Sequence, residues 1–223
     1  MALAIFVKTP GLTPTKTRLA AGVGQATADA FYQRTLDITE DVARAAAATD
    51  SALQPYWAVT EAAAVGHDRW RGLPQLWQGE GGLGARLDRV YRELLQRHGA
   101  VLLIGADSPL LTSRHLGCAR EMLASEAREC VMGRALDGGF YLFGGTVPMA
   151  RELWTSVSYS EADTADQLLA LLEPAYRVGQ LTPLPDVDTV ADLLAIPAHA
   201  ATAQGLLPSQ RALLSWIREL VPG

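Results

Sequence analysis

Short continuous apolar runs alternate with longer amphipathic stretches along most of the chain. Ala2 to Val7 (ALAIFV) and Val101 to Gly105 (VLLIG) are too short for helices and match strands buried on both faces of a parallel sheet. Gln25 to Ala48 is different: Ala30, Phe31, Leu36, Ile38, Val42 and Ala45 recur at roughly helical spacing, which predicts a long helix with one face in the core. Further strands are predicted at Gln54 to Val59, where Tyr56 and Trp57 suit an edge, and at Pro74 to Trp77, Cys130 to Arg134, Phe140 to Gly144 and, briefly, Tyr176 to Val178. Helices are predicted at about Glu61 to Arg71, up to about His98, from near Arg114, and at Pro148 to Trp154, Thr164 to Leu172, Val190 to Ile196 and Leu206 to Leu220. The last has Leu207, Leu213, Leu214, Ile217 and Leu220 on one side and should pack on the body or on a second subunit as a homodimer. Strand, helix, strand, helix, strand is the order of an α/β fold.

Composition narrows the class. The 223 residues are 49% hydrophobic and 19% charged, as in an ordered globular protein, and no Ser/Gly/Pro-rich linker divides them, so a single domain over 1–223 is expected. No stretch approaches the ~20 apolar residues of a membrane span. Met1 leads directly into the first strand without room for a leader peptide, which makes the expected location cytoplasmic. Cys118 and Cys130 form no CxxC pair, and His67, His98, His115 and His199 have no metal-ligand spacing. A net charge of −5 argues against a nucleic-acid partner but leaves room for a local basic pocket.

The candidate chemistry sits where apolar runs end. Asp107 follows the strand Val101 to Gly105, Pro109 stops the ladder, and Thr112 or Ser113 can cap the next helix. Ligands bind at that edge of an open α/β sheet, so Asp107 is expected to hold a divalent cation and with it a nucleotide's phosphates. After the first strand comes an extended, polar loop to Ala21 that carries Lys8, Gly11, Lys16 and Arg18. Its cations can neutralise phosphate, and the Gly11 turn can add N–H donors; a solvated surface loop is the alternative, since GxxxxGK[ST] is absent. Gly79, Gly81, Gly82 and Gly84 precede a helix whose N-terminal dipole suits an anion, with Arg86 and Arg89 nearby; a flexible turn is the alternative. Asp137-Gly138-Gly139 reads as a hairpin turn that can also present a carboxylate and N–H groups. In Pro185-Asp186-Val187-Asp188-Thr189 the alternating carboxylates should point to opposite sides, one to the site and one to cap the helix.

Taken together, PGLTPTKTRLA, QGEGGLGARL, LLIGADSPLL, GRALDGGFYLFG and PDVDT resemble the DUF2064 family, transferases sometimes described as associated with radical SAM and selenodomain proteins. The resemblance runs from Ala2 to about Leu194. It implies a glycosyltransferase A-like three-layer α/β/α sandwich with a mostly parallel sheet, related to the guanylyltransferases of molybdopterin and coenzyme F420 biosynthesis. Carried over to this chain, it implies phosphate binding by Lys16 and Arg18 with Lys8 nearby, Mg²⁺ or Mn²⁺ on Asp107 and Asp188, and an acceptor side lined by Asp137, Gly138 and Gly139. Gly11, Gly81, Gly82 and Arg86 complete the expected nucleotide site. Gly82 stands where the family pattern has Asp, Arg134 where it has Pro, and Ser158-Tyr159-Ser160 where it has a tryptophan segment. These departures imply altered substrate choice or lost activity.

The expected reaction is metal-assisted transfer from a nucleotide-activated donor to a small-molecule acceptor, with Lys16, Arg18 and Asp107 as the catalytic groups. The basic loop favours nucleotidyl transfer to a phosphorylated acceptor, because a polyphosphate leaving group needs cationic stabilisation there. Glycosyl transfer from a nucleotide-diphospho-sugar is the alternative, and a non-catalytic nucleotide-binding regulator the second.

Overall fold

The computed structural model describes residues 1–125 and 127–220. Its strands are β1 (Ala2–Val7), β2 (Gln54–Val59), β3 (Gln75–Trp77), β4 (Val101–Ile104), β5 (Cys130–Ala135), β6 (Phe140–Gly145) and β7 (Val178–Leu184). They form one seven-stranded sheet in the order β3-β2-β1-β4-β6-β5-β7. Only β6 runs against the others, pairing antiparallel with β4 and β5. The helices are α1 (Thr17–Val23), α2 (Gln25–Thr49), α3 (Leu83–His98), α4 (Ser113–Ala124), α5 (Arg151–Thr155), α6 (Thr164–Leu172), α7 (Val190–Ala200) and α8 (Pro208–Leu220).

The continuous apolar runs are explained by burial on both sides. On β1, Leu3, Ile5 and Val7 face a core built with α2, α4, α7 and α8, whereas Ala2 and Ala4 face a second core built with α3, α5 and α6. The period of two thus sorts one strand between two helical layers, giving the three-layer α/β/α sandwich. Each fully buried Leu or Ile contributes about 2 kcal/mol of transfer free energy. Among the described residues no helix is long and apolar enough to cross a membrane.

Several expectations change in detail. Tyr56 and Trp57 do not lie at an edge: β2 sits between β1 and β3, and Trp57 is buried against Trp70 with ring centroids 5.1 Å apart. The stretch Glu61 to Arg71 makes two separate 3₁₀ turns, Ala62–Ala64 and Asp68–Trp70, because Gly66 at φ 93° breaks the chain between them. The basic loop ends earlier than Ala21. With Pro14 behind it, the run from Thr17 to Val23 folds as α1, burying Leu19 and stopping at Gly24. The last strand starts at Val178 and runs through Pro183; β7 is an edge strand, where a missing N–H costs little.

All strands except β6 end, and β6 begins, along one rim of the sheet. The segments carrying Lys8, Gln78, Asp107, Asp137 and Asp186 therefore leave the sheet side by side. The terminal helix α8 packs on the body of the same chain through Leu213, Leu214 and Ile217.

Candidate active site

A cleft of about 580 Å³ opens at this rim. It is lined by Lys8, Lys16, Arg18 and Arg86 and by Asp107, Asp137, Asp186 and Asp188, so charges separated by up to 180 residues of chain share one cavity.

Its centre is Lys16. The side chain is only 4% exposed, and Nζ lies 2.6 Å from Asp107 Oδ1, 3.0 Å from Asp188 Oδ1 and 2.5 Å from the Val187 carbonyl oxygen. The backbone sets this up from both sides. Lys16 caps α1 in a left-handed conformation, φ 49° and ψ 40°, a strained state for a residue with a side chain. The Val187 N–H donates to the Asp107 carbonyl at 3.2 Å, which ties the end of β4 to the segment after β7. Burial alone would favour the neutral amine; Asp107 and then Asp188 outweigh it and hold Lys16 protonated, with its pKa above the ordinary lysine value. Asp188 is pulled below the usual carboxylate range: burial opposes this, but Lys16 and Arg18, which also bonds its Oδ2, prevail.

The acidic residues gather on the other flank. Ligand oxygens of Asp137, Asp186 and Asp188 lie within 4.8 Å of one another. Burial first, and then the neighbouring Asp137 charge, push the Asp186 carboxyl up to about 7. Three hard oxygen donors crowded together, one of them reluctant to ionise beside its neighbours, are suited to a divalent cation such as Mg²⁺ or Mn²⁺.

This arrangement differs from the expected pair. Asp107 and Asp188 do meet, but across Lys16, and Asp188 joins Asp137 and Asp186 instead. Asp137 thus stands among the metal-type carboxylates as well as in the cleft. Nor do the alternating carboxylates diverge: Asp186 and Asp188 both face the cleft, because β7 ends at Leu184 and the period-two pleat ends with it. Neither caps the helix. Thr189 does, accepting from the Asp192 N–H at 3.3 Å while Asp192 Oδ2 accepts from the Thr189 N–H at 2.7 Å.

Among the glycines, Gly139 lines the cleft, whereas Gly11, Gly81, Gly82 and Gly138 do not. Gly138 is needed for the turn itself: its φ is 95°, and a Cβ there would come within 1.7 Å of the Ala162 carbonyl oxygen. Gly82, in place of an Asp, is the N-cap of α3 and supplies no side-chain acceptor. Arg134 reaches Asp166 on α6 at 2.7 Å. Tyr159 and Ser160 both line the cleft; the Tyr159 hydroxyl donates to the Trp154 carbonyl at 2.9 Å, and Ser160 has φ 66°. Lys16 and Ser160 are the only non-glycine residues with positive φ among those described, and they face the same cavity.

Some participants carried no sequence signal. The Tyr32 hydroxyl accepts from the Lys8 N–H and donates to the Lys8 carbonyl, both at 3.0 Å. Glu61 Oε2 accepts from Thr9 N–H at 3.0 Å and Thr9 Oγ1 at 2.8 Å. Both contacts fix the start of the basic loop, and both join residues distant in sequence that no spacing rule connects.

The sheet order, the rim cleft and its charges define an α/β protein with the fold of nucleotidyltransferases and nucleotide-diphospho-sugar transferases. More particularly, the chain belongs to the family described as "Uncharacterized protein conserved in bacteria (DUF2064)", whose model matches residues 25–161. Its structure is similar to a "putative nucleotide-diphospho-sugar transferase" from Desulfovibrio desulfuricans G20, with a TM-score of 0.84, 23% identity and coverage of 98% of this chain and 95% of that one. It is also similar to a cytidylyltransferase from Leptospira borgpetersenii, with a TM-score of 0.58, 13% identity and coverage of 98% and 93%. A third similar structure is CMP:2-keto-3-deoxy-manno-octonic acid synthetase complexed with CTP, with a TM-score of 0.52, 12% identity and coverage of 90% and 98%. At these identities the likeness is one of fold. No curated protein matches the sequence significantly.

Proposed function

We propose that this protein is a divalent-metal-dependent nucleotidyltransferase that moves a nucleoside monophosphate from a nucleoside triphosphate to a small phosphorylated acceptor. The observation that carries this reading is the pairing, at the C-terminal rim of the sheet, of the buried Lys16 between Asp107 and Asp188 with the adjacent carboxylates Asp137 and Asp186. A polyphosphate needs cations along its length, and a site that also binds metal needs carboxylates close by; both are present in one cleft.

Asp137, Asp186 and Asp188 would hold Mg²⁺ or Mn²⁺, which when bound neutralises phosphate charge. Lys8 and Arg86 make no ion pair among the described residues and face the cleft, and Lys8 can take phosphate oxygens directly. Arg18, with its side chain 65% exposed, can turn from Asp188 to the same end of the ligand. Lys16 is held protonated and oriented by its two carboxylates, so it can stabilise charge growing on the leaving group without reorganising. An acceptor phosphate oxygen attacks the α-phosphorus, the bond to the β-phosphate oxygen breaks, and pyrophosphate leaves. Asp137, Gly139, Tyr159 and Ser160, which also line the cleft, would form the acceptor side.

Glycosyl transfer is a second reading, favoured by the likeness to the D. desulfuricans protein described as a nucleotide-diphospho-sugar transferase. One assay separates the two. Wild type and Lys16→Met are incubated with Mg²⁺, the common nucleoside triphosphates and a pool of small phosphorylated metabolites, and pyrophosphate is measured; nucleotide sugars are tested in parallel for nucleoside diphosphate. Acceptor-dependent pyrophosphate from wild type alone supports the proposal. Nucleoside diphosphate without pyrophosphate would replace it with glycosyl transfer, and binding without either product would leave a nucleotide-binding regulator.

A further inference from the structure

At the corner where β1, β2 and β3 end, the donors are turned inward. The Val7 carbonyl oxygen accepts from the Thr60 N–H at 3.0 Å, from Thr60 Oγ1 at 2.9 Å and from Gln78 Nε2 at 3.3 Å. Gln78 Nε2 donates its other hydrogen to the Ala58 carbonyl at 2.7 Å. Gln78 is 3% exposed, so its amide is a fixed group rather than a freely rotating surface one. With both amide hydrogens engaged, Oε1 is what remains, and it accepts nothing from the described residues although Gln78 lines the cleft. Thr60 also lines the cleft, and its hydroxyl hydrogen is committed to Val7, so it too presents lone pairs only. Two acceptor oxygens, on residues whose donors are bound to one carbonyl, thus line the cleft without a donor among the described residues. The guanidinium of Arg86, whose Nε is buried without a partner, faces the same cavity as a donor.

We infer that this corner is a base-recognition subsite, in which Gln78 Oε1 and Thr60 Oγ1 accept from the two hydrogens of an exocyclic amino group, or in guanine from the amino group and the neighbouring ring N–H, and Arg86 donates to the adjoining ring nitrogen or carbonyl oxygen. This rests on the nucleotide-binding reading above and names the class of nucleotide: one with an amino-bearing base, cytosine, adenine or guanine. Uracil and thymine offer a single N–H flanked by two carbonyl oxygens. Either placement sets a carbonyl lone pair against a protein acceptor or leaves one acceptor buried and unpaired, a cost that binding sites built around hydrogen bonds use for discrimination.

The test compares ligands that differ only in the amino group, so that it does not depend on a variant folding. Dissociation constants are measured by titration calorimetry with Mg²⁺ for CTP against UTP, ATP against purine riboside triphosphate, and GTP against ITP. In the pair containing the preferred base, the amino-bearing member is expected to bind about tenfold more tightly. In Gln78→Met and in Thr60→Val, which keep the side-chain volume, that preference should shrink to within about threefold while triphosphate binding persists. Tight binding of nucleotides with no dependence on the amino group, or tightest binding of UTP, would overturn the subsite and leave the nucleotide reading standing. Preference retained in both variants would overturn the assignment of these two residues. No binding of any nucleotide, with the protein folded by circular dichroism, would remove both.

Discussion

Gln210, buried on α8, donates from Nε2 to the Leu111 carbonyl oxygen at 2.8 Å, across 99 residues of chain. The same nitrogen donates to the Pro109 carbonyl at 2.8 Å, and Gln210 Oε1 accepts from the Leu207 N–H at 2.8 Å. The last helix thus holds the loop that carries Asp107 out of the sheet. Gln210→Met keeps the volume and removes all three bonds, leaving buried carbonyls unpaired, and should cost about 2 kcal/mol. For a chain of this size that lowers the melting temperature by about 4–8 °C. A melting temperature within a degree of wild type would show that α8 does not brace the loop.

The acidic flank makes a prediction that distinguishes two possible cation sites. If Asp137, Asp186 and Asp188 hold the metal, Asp186→Asn and Asp188→Asn should each weaken Mn²⁺ binding at least about tenfold. Asp107→Asn should change it by less than about threefold, because that carboxylate lies outside the cluster. Electron paramagnetic resonance of free Mn²⁺ reads the affinity without requiring turnover. A large effect at Asp107 with none at Asp186 would restore the pair Asp107 and Asp188 as the site.

The contrast between these residues also shows what sequence could and could not reveal. Asp107 was legible as a cleft residue because a carboxylate after a continuous apolar run, followed by Pro109, marks the end of a buried strand at the rim where the cleft opens. Lys16 and Arg18 were legible as a cationic cluster, and the helix beginning at Thr164 falls where its periodicity places it. What did not follow was pairing. That Lys16 would lie between Asp107 and Asp188, or that Tyr32 and Glu61 would pin the basic loop, depends on which segments the sheet order brings together, and no local pattern encodes that. Asp186 and Asp188 share the cleft for a related reason: they lie beyond Leu184, where the alternation of the strand no longer holds. Gln78 carries only the signal of a residue before a glycine-rich turn; that its amide hydrogens go to the Val7 and Ala58 carbonyls depends on the sheet order.

Gly82 caps α3 without a side-chain acceptor, and a Cβ built there meets nothing within 4 Å. Its φ of −69° is open to any residue. Gly82→Asp should therefore add a cap and a favourable charge at the helix N-terminus, stabilising the protein by about 0.5 kcal/mol. The melting temperature should rise by about 1–2 °C. A fall instead would mean that the carboxylate is repelled by the acidic groups of the cleft more strongly than the helix end attracts it.

His115 couples the same region to pH. Its Nδ1 accepts from the Thr112 N–H at 3.1 Å, closing the capping box of α4 just after the Asp107 loop, and its ring stands edge-on to Tyr141 with centroids 6.3 Å apart. Burial first, and then the Arg114 charge, hold its pKa below the ordinary value of 6.5. The neutral ring is the one that can accept the bond, so the folded state resists protonation more than the unfolded chain does. Stability is then fully present above the unfolded pKa and is lost as pH falls from about 6.5 toward the lower folded value. His115→Gln keeps a side-chain acceptor at the third helical position but cannot titrate there. Urea unfolding of the two proteins at pH 8 and pH 5.5 isolates the effect, since other groups titrate equally in both: wild type should lose more stability than the variant between the two pH values. Equal losses would show that the His115 bond to Thr112 contributes nothing that protonation can remove.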